Sequence, residues 1–174
     1  MDSEKLVEKI IKLALDEDTE DGDITTETLL PKNIGGRAAI IARQEGILCG
    51  AEVVRMVFLT IDPTINIEIM VEEGKAFKTG DTIMVIMGRV NSILKGERTA
   101  LNFISRLSGI TMLTTQFVNA VKDSGVIIKD TRKTYPGNRM LEKYAVYVGG
   151  AKNHRPNLAG GILIKDTHIR ALTA

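Results

Sequence analysis

The chain holds a single cysteine, Cys49, so no internal disulfide can form, and a thiol without a partner reads as a small buried hydrophobe. The compartment this implies is a reducing one. Proline is scarce at 4 residues, and with 44% hydrophobic and 26% charged residues the composition excludes a disordered or fibrous protein. Neither sign of charge dominates. The 23 Lys plus Arg stand against 22 Asp plus Glu, and a net charge of +1 makes no global field that would draw nucleic acid or an anionic membrane. Any anion site must therefore come from local clustering. No run approaches the roughly 18 apolar residues that cross a bilayer. The start, Met1-Asp2-Ser3-Glu4-Lys5, lacks the basic head and apolar stretch of a secretory signal. The expectation is a cytoplasmic protein with neither nucleic acid nor membrane as partner.

At 174 residues there is room for one ordinary domain and part of another. Leu6, Ile10, Leu13 and Ala14, beside Val7 and Ile11, follow helical spacing after Asp2 and Ser3, which can cap a first helix ending near Asp16. The acidic run from Glu17 to Asp23 does not put Asp or Asn at the alternate positions of a calcium loop ahead of its glycine, so it reads as a solvated linker. From Arg37 to Gly88 short β-rich runs alternate with glycines: Ala38 to Ala42, Ile47 to Cys49, Ile65 to Val71 and Thr82 to Met87. Among them Ala51 to Ile61 has a helical apolar pattern that Pro63 stops. These features predict one helix on a twisted sheet. Asn91 to Asp123 predicts a long connecting helix, broken near Gly109.

A repeated phrase follows. Val126-Ile127-Ile128 is closed by Lys129-Asp130-Thr131-Arg132, and Ile162-Leu163-Ile164 by Lys165-Asp166-Thr167-His168. Between them Asn138 to Val148 reads as a helix ended by Gly149-Gly150, which makes a strand, helix, strand unit of parallel-crossover length. Apolar strands with polar residues only at their C-terminal ends belong to a parallel sheet or α/β barrel. No Gly-x-Gly-x-x-Gly or Walker A phrase favours an open doubly wound sheet. The fold class expected is an α+β N-terminal sandwich followed by the first β-α-β unit of an incomplete α/β (TIM-like) barrel, with domains at 1–112 and 113–174.

Polar signal concentrates in four tracts: Glu97 to Asn102, Asp130 to Thr134, Lys152 to Arg155 and Ile164 to His168. Both histidines, His154 and His168, fall inside them. A lone loop Lys or Arg is simply solvated. Arg132-Lys133, His154-Arg155 and Lys165, placed together at the ends of rigid elements beside Thr and small residues, point to a pocket for more than one carboxylate or phosphate.

Glu97-Arg98-Thr99-Ala100-Leu101-Asn102-Phe103, Arg106-Leu107-Ser108-Gly109-Ile110, Asp130-Thr131-Arg132-Lys133-Thr134, Leu141-Glu142-Lys143-Tyr144-Ala145-Val146, Asn153-His154-Arg155 and Ile164-Lys165-Asp166 resemble, in order, the signature motifs of quinolinate phosphoribosyltransferases. The resemblance implies a sandwich and an incomplete barrel in a homodimer, each sandwich covering the partner's barrel mouth. It implies quinolinate and phosphoribosyl pyrophosphate as substrates. Arg132, Arg155 and Lys165 would hold the quinolinate carboxylates, with Arg98 reaching in from the partner subunit. Lys133 and His154 would place the phosphoribosyl pyrophosphate, and Lys133 and Lys165 would be the catalytic residues. Mg²⁺ is the implied cofactor, with its ligands outside this chain.

Thr167 departs from the family's usual Asn. Val126 to Ala174 also falls far short of the roughly 200 residues of a complete barrel. The expectation is a truncated product, inactive alone. Three other readings compete: a non-catalytic pairing or binding partner, a pyrophosphorylase-like protein encoded with molybdate transport, and a lipoyl-type module suggested by Glu73-Gly74-Lys75 and Lys78 to Ile83. The last lacks an Asp-Lys or Met-Lys attachment hairpin.

Overall fold

A computed structural model describes residues 3–31 and 33–173. The cap expected from Asp2 lies outside the described residues. Helix α1 (Ser3–Thr19) buries Ile11 and Leu15 and continues past Asp16 through Glu17 and Asp18, the first two acidic residues assigned to a linker, to Thr19, whose hydroxyl donates to the Leu15 carbonyl at 2.7 Å. Glu20 to Asp23 form the expected turn, and a second short helix, α2 (Ile24–Leu29), follows them. The Asp23 carboxylate caps it, accepting from the Thr26 backbone N–H at 2.9 Å. Six residues are too few for periodicity to reveal.

Strand β5 (Thr82–Arg89) lies between β1 (Gly35–Ile41) and β3 (Asn66–Ile69), antiparallel to both. Ile83, Met84, Val85 and Ile86 are all buried, as befits a central strand covered on two faces. A second sheet pairs only β2 (Gly46–Ile47) with β4 (Ala76–Phe77). Helix α3 (Ala51–Ile61) has the predicted bounds and buries Val53, Val54, Val57 and Phe58. Gly50 begins it at φ +99°, and a Cβ there would sit 2.7 Å from a Leu107 methyl. No side chain at that position can cap the helix. Glu73 does so from a distance, accepting from the Gly50 and Ala51 N–H groups at 2.7 and 3.0 Å.

Helix α4 (Val90–Ala120) runs unbroken through Gly109, contrary to the expected break. A mid-helix glycine costs about 1 kcal/mol against alanine, and the buried neighbours Leu107, Ser108 and Thr111 hold the turn in place. Ser108 also bridges to Cys49, accepting from its N–H at 3.0 Å and donating to its carbonyl at 3.3 Å. Cys49 is fully buried, as expected, and that burial pushes its thiol up to about 12. Asp62, just past α3, ties this region to the α4 entrance. Its carboxylate accepts from Arg89 Nε at 2.9 Å, the Thr64 hydroxyl at 2.7 Å and the Ser92 hydroxyl at 3.0 Å.

Helix α5 (Arg139–Val148) packs on the second half of α4. The Thr111 hydroxyl donates to the Ala145 carbonyl at 2.9 Å. Gly149 meets α4 so closely that a Cβ would lie 2.6 Å from Thr114 Cβ and 2.8 Å from the Thr111 carbonyl oxygen. The expected strand, helix, strand unit does not form. Val126 to Ile128 and Ile162 to Ile164 form no ladder. One parallel bridge joins Lys129 to Lys152, with Lys152 N–H donating to Ile128 at 3.0 Å. The crossover thus returns directly after α5, ahead of the predicted second strand. An apolar run becomes a strand only beside another strand, and Ile127, Ile162 and Ile164 are exposed without one. Asp166-Thr167-His168, expected at a strand tip, opens helix α6 (Asp166–Thr173). The architecture is mixed α and β with open sheets. No described helix is long and apolar enough to cross a membrane.

Two outcomes follow from this packing. The Arg89 guanidinium, the Thr64 and Ser92 donors and the Thr64 N–H hold the Asp62 carboxyl well below the usual carboxylate range. Its contribution to stability is therefore complete above about pH 4 and fades as pH falls toward the lowered value. In urea unfolding across pH 2 to 7, the stability gap between the native chain and Asp62→Asn should narrow in acid, and a gap constant with pH would refute the assignment. Gly149→Ala should cost about 1–3 kcal/mol through overpacking against α4, whereas an unchanged urea midpoint would show that the two helices have room to separate.

Candidate anion-binding site

Three segments meet at one carboxylate. Asp130 Oδ1 accepts from Lys143 Nζ on α5 at 2.6 Å and from the His154 backbone N–H at 2.6 Å. Lys143 Nζ donates again, to the His154 carbonyl at 3.0 Å. With its amide nitrogen turned toward Asp130, Asn153 donates to Oδ2 at 2.8 Å and to the Lys143 carbonyl at 3.0 Å. Both charged side chains are over nine-tenths buried, at 7% exposure for Lys143 and 8% for Asp130. Such a pair is tolerable only because nearly every donor and acceptor is satisfied.

A second network shapes the adjoining loop. Glu142 pairs with Arg106 of α4 through Nε at 3.1 Å and through Nη2, and accepts from the Tyr135 N–H at 3.2 Å. The Arg106 guanidinium lies over the Tyr135 ring, 5.2 Å from its centroid. Arg139 joins the two loops that carry the predicted arginines. It donates to the Thr134 hydroxyl at 3.0 Å, and to the Arg132 and Pro156 carbonyls at 3.4 Å each.

The structure brings some of the predicted residues together and leaves others apart. Arg155 and Lys165 share a cavity of about 470 Å³ with Gly161, Thr167 and His168, and no carboxylate lines it among the described residues. The Arg155 guanidinium donates to the Gly161 carbonyl at 2.5 Å, but its Nε is shielded from solvent with no partner. Arg132 Nε is in the same condition. Two unsatisfied guanidinium N–H groups cost free energy unless a ligand accepts from them. Arg132, Lys133 and His154 do not line this cavity. Lys133 is exposed in the loop after Asp130, where its backbone N–H donates to the Thr131 hydroxyl at 3.0 Å. His154 Nδ1 accepts from the Arg155 N–H at 2.8 Å, and His168 Nδ1 from the Lys165 N–H at 2.9 Å. In each ring Nε2 is the remaining polar atom. Arg98, exposed on α4, lines a separate cavity of about 390 Å³ with Glu17, Asp18, Arg106 and Asn138.

Sequence reasoning assigned no role to Lys143, Glu142 or Arg139. One signal was available for the first two. Leu141, Glu142, Lys143 and Ala145 are all buried, and so many α5 positions can be covered only if neighbours surround the helix and its charged members find partners inside. Among the described residues, no group of three or more His, Cys, Asp or Glu is placed to hold a metal ion.

Comparison with known proteins gives a consistent result. The family model for the quinolinate phosphoribosyl transferase N-terminal domain matches residues 23–108, and that for the C-terminal domain matches residues 110–174. A quinolinate phosphoribosyltransferase [decarboxylating] 1b of Nicotiana tabacum is 37% identical over 163 residues, which are 93% of this chain and 46% of the relative. A probable nicotinate-nucleotide pyrophosphorylase [carboxylating] of Bacillus subtilis is 41% identical over 155 residues, 89% of this chain and 53% of the relative. The crystal structure of NadC from Streptococcus pyogenes superposes with a TM-score of 0.91 at 37% identity, covering 97% of this chain and 60% of that one. The chain spans about half the length of the curated relatives it matches.

Proposed function

The chain belongs to the quinolinate phosphoribosyltransferase family, and from that premise we propose that it serves phosphoribosyl transfer from phosphoribosyl pyrophosphate to quinolinate. Decarboxylation completes the reaction, which yields nicotinate mononucleotide, CO2 and pyrophosphate for NAD biosynthesis. The observation that carries this reading is the pair of shielded, partnerless Nε groups on Arg132 and Arg155, together with the carboxylate-free cavity holding Arg155 and Lys165. A planar diacid offers each guanidinium an acceptor of matching geometry.

In this reading Arg132, Arg155 and Lys165 bind the two carboxylates. Arg98, which lies in a different cavity of its own chain, serves the site of a second copy in a homodimer. Lys133 and His154 face the phosphoribosyl pyrophosphate. The open antiparallel sheets belong to the N-terminal sandwich, and the parallel Lys129–Lys152 bridge is the beginning of a TIM-like barrel. The pyridine nitrogen forms a bond to the anomeric carbon as the bond to pyrophosphate breaks. The 2-carboxylate then leaves as CO2, its electron pair stays on the quaternised ring, and C2 takes a proton. The side chains hold the reactants in line and offset charge, so no protein nucleophile is needed. Mg²⁺ does not fit the described residues, which cluster no three suitable ligands. For the same reason the 174-residue chain alone should bind the diacid without measurable nicotinate mononucleotide formation.

Calorimetric titration with quinolinate tests the reading. Arg155→Lys keeps the charge and loses the fork, and should weaken binding by about tenfold or more at low and high salt alike. Unaltered quinolinate affinity in that variant would contradict the site, and product formed by the chain alone would contradict its inactivity.

A further inference from the structure

The buried network beneath the cationic loops touches no reacting group, and stability alone does not account for it. A buried ion pair is on average no more stabilising than an apolar pair of the same volume, because desolvation offsets the attraction. Its geometry, however, is specific. Asp130 lies two residues before Arg132, and His154 immediately precedes Arg155. The single Asp130 carboxylate takes Lys143 Nζ, the His154 N–H and the Asn153 amide, while Lys143 returns a bond to the His154 carbonyl. The exit directions of both arginine-bearing segments are therefore set from one point, 2.6 Å from an ammonium anchored in α5.

We propose that the Asp130–Lys143 pair, locked by Asn153, is a positioning clamp that fixes the spacing of Arg132 and Arg155 and thereby selects a pyridine dicarboxylate over a monocarboxylate. The inference rests on the functional reading above and names what sets the selectivity of that same site. Neither clamp residue contacts the ligand. A diacid held at two guanidinium groups depends on the distance between them, since both forked contacts must form at once. A monoacid uses one group and does not sense the spacing. Loosening the clamp should therefore act on the second carboxylate alone. Partial unfolding, by contrast, would lower the affinity for both acids by the same factor.

The test compares quinolinate and nicotinate binding to the 174-residue chain by calorimetry, with two variants. Lys143→Met removes the ammonium at similar length and leaves Asp130 buried without its counter-charge. Asn153→Ala, at an exposed position, deletes only the lock and leaves the ion pair in place. For Lys143→Met the quinolinate Kd should rise about tenfold and the nicotinate Kd change by less than about twofold. For Asn153→Ala a quinolinate loss of about threefold with the same insensitivity to nicotinate is expected. If Lys143→Met does not fold, the Asn153→Ala ratio decides by itself. Equal losses for the two acids, or no loss of quinolinate affinity, would overturn the clamp. Failure of the unaltered chain to prefer quinolinate would overturn the functional reading, and the clamp with it.

Discussion

Both halves of the chain depend on how closely other helices can approach α4. On its first half Gly96 admits Phe58 and Ile61 of α3, which would stand 2.9 Å from a Cβ at that position. On its second half the bare backbone of Gly149 lies against Thr111 and Thr114. Close approach brings dispersion contacts and water exclusion together. It also gives the α5 charges no exit to solvent, so Glu142 and Lys143 must find partners within the fold. Arg106 and Asp130 are those partners, and through them the steric seat of α5 becomes the frame of the cationic loops.

The distribution of charge follows a simple division. Asp62, Glu142 and Asp130 each have a cation of their own, in Arg89, Arg106 and Lys143. The cavity that holds Arg155 and Lys165 has no carboxylate in its lining among the described residues. A chain with a net charge of only +1 can thus present a cationic hollow, because its buried acids are neutralised locally elsewhere. The proposed transfer reaction asks little more of the protein than that, since the leaving group and the ring carry the bond changes themselves.

Much of this was legible in the residues. The apolar spacing of Ala51 to Ile61 and the stop at Pro63 gave α3 its correct bounds, and the runs at Ala38 and Thr82 fell on β1 and β5. The motif order pointed to the family. What failed to show depends on partners distant in sequence. Gly109 looks like a helix break until Leu107, Ser108 and Thr111 are seen buried around it. Ile162 to Ile164 looks like a strand, but strand formation is a property of pairs, and the pairing partner of Lys129 is Lys152. Arg155 and Lys165, singled out in the sequence for their chemistry, line one cavity. Lys143 escaped because a lysine in a helix is ordinarily solvated, and only the burial of its whole turn assigns it to the interior.

The proposed function stands on one diacid joining Arg132, Arg155 and Lys165. A crystal structure of the chain grown with quinolinate tests it most directly. The two carboxylates should bridge the arginines, each Nε donating to an oxygen, with the Lys165 ammonium alongside. Quinolinate seated against Arg98 and Arg106 in the other cavity, with both Nε groups still unpartnered, would contradict it.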